Sequence, residues 1–167
     1  MSRGFVREDD QEEAPFIPPR AALPDGVANH VTPRGLQLLL DERLALEAER
    51  AAATGSDDER RRQHAELDGR LALLNERIVT AHVVEPLPGK ATEVRFGNSV
   101  TFEHVAGRLK GTQLTFTIVG VDEANIKEGR IAFTAPLARA LIGKRKGGVA
   151  ELRLGTELQK LKVLAIA

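Results

Sequence analysis

The sequence predicts an α+β chain in which an antiparallel helical hairpin precedes a small β-rich domain. Two observations carry that expectation. Leucines recur at three- and four-residue spacing on both sides of Thr54-Gly55, and beyond Pro86 the hydrophobic period shortens to two.

Residues 1–30 read as a disordered tail, because the acidic block Glu8, Asp9, Asp10, Glu12 and Glu13 precedes Pro15, Pro18, Pro19 and Pro24 with few apolar residues between. Residues 31–85 read as the hairpin, helical from 32 to 83 apart from one break. Thr32 suits an N-cap and Pro33 the first helical position. The first stripe is Leu36, Leu39, Leu40, Leu44 and Leu46; the second is Leu67, Leu71, Leu74 and Ile78, stepping four, three and four as in a coiled-coil seam. Thr54-Gly55 ends the first helix. Towards that turn the stripe fades into Ala51, Ala52 and Ala53, so the far end of the hairpin is thin and polar. Pro86-Leu-Pro-Gly-Lys90 is a linker, and residues 86–167 form the second domain. Strands are expected at Val94–Phe96, Ser99–Phe102, Leu114–Val119, Arg130–Phe133, Val149–Leu154 and Leu158–Ile166, in a mostly antiparallel sheet. A short helical stretch, Pro136–Ile142, interrupts them.

Composition narrows the function. The 167 residues hold six Phe but neither Trp nor Tyr, which disfavours a pocket or stacking surface walled by rings. Lys and Arg total 24, as do Asp and Glu, so no global field steers the chain onto nucleic acid and any such contact must be local. The absence of Cys removes thiolate catalysis and Cys-based zinc sites and agrees with a reducing cytosol. No apolar leader opens the chain, and no run is long enough to span a bilayer. A cytoplasmic protein is expected.

Chemistry concentrates at the hairpin turn. Ser56-Asp-Asp-Glu59 has the spacing of a capping box, and acidic residues in a first turn suit the helix dipole. The same Asp57, Asp58 and Glu59, at an exposed tip, suit a Mg²⁺ that takes one or two carboxylates and keeps its waters. The two readings are compatible. Arg60, Arg61 and Arg62 follow and point in different directions, as a solvated face or as a contact for phosphate or RNA. Lys144-Arg145-Lys146 before Gly147-Gly148 reads as a charged turn, and no Walker, nucleophile-elbow or dinucleotide motif occurs.

Val31-Thr-Pro-Arg-Gly35 ahead of the leucine-rich helix resembles the opening of the GreA/GreB transcript-cleavage factors. Phe96-Gly97 with Val100, Ile118-Val-Gly-Val-Asp-Glu123, and Ala135-Pro-Leu-Ala-Arg-Ala-Leu-Ile-Gly-Lys144 are similar to that family's C-terminal signature, in order and spacing from residue 31 to the end. The resemblance implies an FKBP-like C-terminal domain at the rim of the RNA polymerase secondary channel, with the hairpin inside the channel. It implies that tip acids, here Asp57, Asp58 and Glu59, help hold the polymerase's second Mg²⁺ during hydrolysis of backtracked RNA. It implies polymerase contacts from Thr134, Ala135, Pro136 and Arg139, and from Asp122 and Glu123. Arg60, Arg61 and Arg62 would lie near nucleic acid.

Two departures stand out. Thr134 and Ala135 replace the family's usual Asp/Asn-Ser, and its Gly-Asp then Glu-Asn-Ala tip motif is absent. The hairpin is also shorter by about two turns per arm, roughly 11 Å of reach. The expectation is therefore a monomeric regulator of elongation that assists polymerase without a cofactor or catalysis of its own. Alternatives are a channel binder that modulates polymerase without stimulating cleavage, as in short-hairpin Rnk-like relatives, and a prolyl isomerase, which would need walls from Phe96, Phe102, Phe116 and Phe133.

Overall fold

A computed structural model describes residues 13–87, 89 and 91–167. The hairpin forms as its pattern demands. Helix α1 spans Pro33–Ala51 and α2 spans Asp57–Val79. Thr32 caps α1, its hydroxyl oxygen accepting from the Gly35 amide at 2.9 Å. Leu39, Leu46, Leu67 and Leu74 are buried in one seam, with Leu36, Leu71 and Ile78 packed beside them. Leu36, Leu39 and Leu46 keep the three-then-seven spacing of a seam; Leu44 falls off that line and stands 62% exposed.

The second helix is shorter than its period suggested. It stops at Val79, and Ala81–Val83 instead forms strand β2 in parallel with β1, Asn29–Val31. The Asn29 amide donates to the Arg77 carbonyl at 2.9 Å, satisfying one of the open carbonyls at the end of α2. A three-residue strand whose partner lies 50 residues away leaves no periodic trace.

The expected disordered tail over 1–30 also needs correction. Residues 13–28 lie against the hairpin, with Arg20 and Ile17 seated on it, and residues 29–30 belong to β1. Residues 1–12, with most of the acidic block, lie outside the described residues, as do Pro88 and Lys90 of the expected linker.

The second domain is a five-stranded sheet in the order β5-β4-β3-β7-β6. Strand β3 (Ser99–His104) pairs antiparallel with β4 (Gln113–Val119) and with β7 (Glu157–Ile166), which pairs antiparallel with β6 (Val149–Leu154). The edge strand β5 (Arg130–Ala132) runs parallel to β4, an exception to the expected antiparallel arrangement. Helix α3, Pro136–Leu141, lays Ala138 and Leu141 on a core of Val94, Val100, Phe102, Ile118, Ile131, Leu161 and Val163. Val94–Phe96 is not a strand. It makes backbone bonds to the loop after α3, from the Val94 amide to the Lys144 carbonyl and from the Gly143 amide to the Val94 carbonyl, both 2.8 Å.

Phe96, Phe102, Phe116 and Phe133 are absorbed by packing. Phe102 stacks on Phe116 at 6.2 Å within the sheet, while Phe96 and Phe133 meet edge-on at 5.6 Å and both contact the His30 ring of β1. No helix among the described residues is long and apolar enough to cross a membrane.

Leu74 is fully buried where the seam meets the base of the hairpin. Leu74→Ala is expected to cost about 2–5 kcal/mol through lost burial and a residual cavity. Leu44→Ala, on the exposed face, should change stability by no more than about 0.5 kcal/mol. Urea unfolding followed by far-ultraviolet circular dichroism measures both, and equal costs would place the seam elsewhere.

Candidate functional site

The hairpin turn builds its acids into different tasks. Gly55, at φ +115°, admits a backbone turn that other residues resist, and Ser56 then caps α2. The capping box is complete. The Glu59 amide donates to the Ser56 hydroxyl at 3.3 Å, and the Glu59 carboxylate accepts from the Ser56 amide at 2.8 Å and from its hydroxyl at 2.9 Å. The Ser56 backbone N–H, then its hydroxyl, hold the Glu59 carboxyl below the ordinary glutamate range.

Asp57 pairs with Arg60 and Asp58 with Arg61, one turn on, while their side chains stay 90% and 64% exposed. Glu59 is thus committed to the cap, and Asp57 and Asp58 face outward. Among the described residues no group of three or more His, Cys, Asp or Glu side chains is placed to hold a metal ion. The outward pair could add one or two oxygens to an ion held mainly by another molecule, which suits the ligand habits of Mg²⁺.

Below the turn, where the leucines give out, polar bonds cross the hairpin. Arg50 of α1 reaches Asp68 of α2 at 2.6 Å and depresses the Asp68 carboxyl, and the His64 ring contacts the Arg50 carbonyl at 3.1 Å. His64 therefore helps to tie the two arms.

The β-domain residues separate into two groups. Pro136 and Arg139 are exposed on α3, and Thr134 and Ala135 are half-buried just before it. Ala135 occupies the N-cap position without a side-chain cap, as its methyl dictates. Asp122 and Glu123 are engaged within the chain. Their side chains are 7% and 4% exposed and turn inward, onto the base of the hairpin. Glu123 accepts from the Thr32 hydroxyl at 2.5 Å and from Arg34 at 2.9 Å. Asp122 accepts from Arg20 at 2.9 Å and stands 3.5 Å from Arg77.

Glycine makes the approach possible at both faces of this junction. A Cβ on Gly35 would lie 2.8 Å from the Glu123 carboxylate, and one on Gly120 would lie 2.6 Å from the His30 carbonyl oxygen. Nothing local in the sequence signals these contacts, since the partners lie about ninety residues apart. The only trace is the pairing of a helix-start glycine with a Gly-Val-Asp-Glu turn.

Residues 89–167 match the family model described as transcription elongation factor, GreA/GreB, C-term. A transcription elongation factor GreA from Hyphomonas neptunium is 35% identical over 100 residues, covering 60% of this chain and 62% of that protein. One from Methylococcus capsulatus is 35% identical over 109 residues, 64% and 66%. One from Anaeromyxobacter sp. is 32% identical over 126 residues, 72% and 74%. The chain thus spans less than two thirds of the length of the first two relatives. The crystal structure of GreA factor homolog 1 of Thermus thermophilus aligns over 84% of this chain and 99% of that one, at 19% identity and TM-score 0.39.

Two expected outcomes follow from this geometry. Gly35→Ala should destabilise the chain by about 1–3 kcal/mol in urea unfolding, because the new methyl meets the Glu123 carboxylate. This runs against alanine's intrinsic helical advantage over glycine, about 1 kcal/mol, so a stabilised variant would refute the close packing. The Glu59 carboxyl is lowered on folding, so its contribution is complete above its ordinary value of 4.5 and is lost as pH falls through the lowered one. A carbon-13 titration placing Glu59 at or above 4.5 would contradict the capping box.

Proposed function

The chain belongs to the GreA/GreB family of transcription elongation factors, and on that footing we propose that it binds RNA polymerase and regulates elongation from the secondary channel. The observation that carries this reading is the fixed relation between its two parts. A buried ionic junction joins the hairpin base to the sheet, and the opposite end of the hairpin presents exposed carboxylates. An element that must place a few charges deep inside another molecule needs such a rigid mount.

In this reading the domain of residues 86–167, with the FKBP-like character implied by its signature, docks at the channel rim through Pro136 and Arg139, flanked by Thr134 and Ala135. Asp57 and Asp58 are the side chains that would complete the coordination of the polymerase's Mg²⁺. Glu59 would hold the helix start beneath them. Bound there, Mg²⁺ supplies an activated water for hydrolysis of backtracked RNA. Arg60, Arg61 and Arg62 would sit beside the transcript. The protein then has no cofactor of its own, works as a monomer in the cytoplasm, and lends groups to the polymerase rather than turning over substrate alone.

A second reading rests on length. Helix α1 has 19 residues, about 28 Å at 1.5 Å per residue. Arms this short support a channel binder that modulates polymerase without stimulating cleavage.

RNA cleavage by a backtracked elongation complex, with and without the protein, separates the two. The first reading expects stimulation, lost at least tenfold in Asp57→Ala/Asp58→Ala while binding persists. Binding without stimulation establishes the second. Pro136→Glu/Arg139→Glu should weaken retention on core polymerase about tenfold, and failure of the parent protein to co-purify with polymerase overturns both.

A further inference from the structure

Residues 13–28 cross the hairpin, and Arg20 is their decisive side chain. Its guanidinium donates to Asp122 at 2.9 Å and to both carboxylate oxygens of Glu42 in α1 at 2.8 and 3.0 Å. One residue therefore connects the N-terminal segment, the hairpin and the β-domain. Asp122 depends on it. Arg77 stands 3.5 Å away, and among the described residues neither Arg77 Nη1 nor Asp122 Oδ2 has a hydrogen-bond partner. Without Arg20 this carboxylate would be buried beside a cation that does not hydrogen-bond to it, an unfavourable state.

Further contacts set the path. Arg77 donates to the Ala21 carbonyl, and Ile17 rests on Gly69, where any side chain would collide with it. Glu13, Phe16 and Pro18 line a shallow depression with Arg61, Arg62 and Glu66. The segment thus runs parallel to α2. From Ala21 to Ile17, four residues at about 3.1 Å each cover about 12 Å, the polyproline spacing that Pro18 and Pro19 favour. From Arg77 to Gly69, eight helical residues at 1.5 Å cover about the same distance. The matched lengths mark one continuous docked segment. Its attachments are few, and Glu13–Phe16, Pro18 and Pro19 are exposed, the signature of a low-stability element.

We propose that residues 15–22 are a releasable strap that sets the angle between the hairpin and the β-domain. Docked, Arg20 clamps Glu42 of α1 to Asp122 of the β-domain. Released, the junction retains the Glu123 contacts and the 3.5 Å Arg77–Asp122 pair, and the hairpin swings over a wider arc. The inference concerns the geometry of the chain itself and stands or falls apart from polymerase binding.

The chain has no cysteine, so Thr54→Cys at the hairpin turn and Lys110→Cys in the β-domain take spin labels at two sites alone. Pulsed dipolar spectroscopy on the labelled full chain should give one narrow distance. Gly69→Ala favours the helix yet displaces the Ile17 side chain from its seat. It is expected to broaden that distribution at least about twofold and to speed tryptic cleavage after Arg20 about tenfold. Arg20→Ala should broaden the distance in the same way. Gly69→Ala decides the matter if Arg20→Ala fails to fold. A distance unchanged in Gly69→Ala overturns the proposal, whether or not cleavage after Arg20 accelerates.

Discussion

The buried carboxylate of Glu123 is the constraint on which the remaining architecture depends. It lies 91 residues from Thr32 and accepts a hydrogen bond from that residue's hydroxyl. The same hydroxyl oxygen accepts the Gly35 amide and so starts α1. One oxygen thus links the first turn of the hairpin to the turn that follows β4, and the direction of α1 is set by where the sheet places Glu123. The arrangement needs a carboxylate acceptor, a short donor and a glycine beneath it. Substituting any of the three leaves either a clash or a polar group without a partner.

The hairpin was legible in the sequence because its determinants are local. Seam spacing, the Thr32 and Ser56 caps and the fading of the stripe all act within a turn or two. The sheet strands were legible where alternation ran for five residues or more, as at Ser99–His104 and Val149–Leu154. Failures share a cause. Strand β2, the docked segment around Arg20, the parallel edge strand and the inward turn of Asp122 and Glu123 all depend on partners far along the chain. The paired signatures Thr-Pro-Arg-Gly and Gly-Val-Asp-Glu identified a family without revealing that they bind each other.

At the opposite end, the three tip acids show how one short string can serve structure and chemistry together. A carboxylate accepting two hydrogen bonds from Ser56 stabilises a helix start and has little left to offer outside. Its two predecessors on the same turn hold exposed arginine pairs, which water and salt weaken. Identity of residue type therefore conceals a division of labour that only the cap geometry exposes. Arg50–Asp68 and His64 perform the complementary task, closing the arms where apolar contact has ended.

The pairing of β1 with β2 closes the hairpin at its root, so residues 32–80 form an excursion from a fixed doorway. The ionic contacts that join the excursion to the β-domain, at Thr32, Arg34 and Arg77, lie on the doorway side. Matched heptads could be spliced in or out near Gly55 without disturbing it, each pair moving the tip by about 10 Å. The fold is in that sense an adjustable ruler with an immovable zero mark. How deep such a protein probes is a length that evolution can rewrite one heptad at a time.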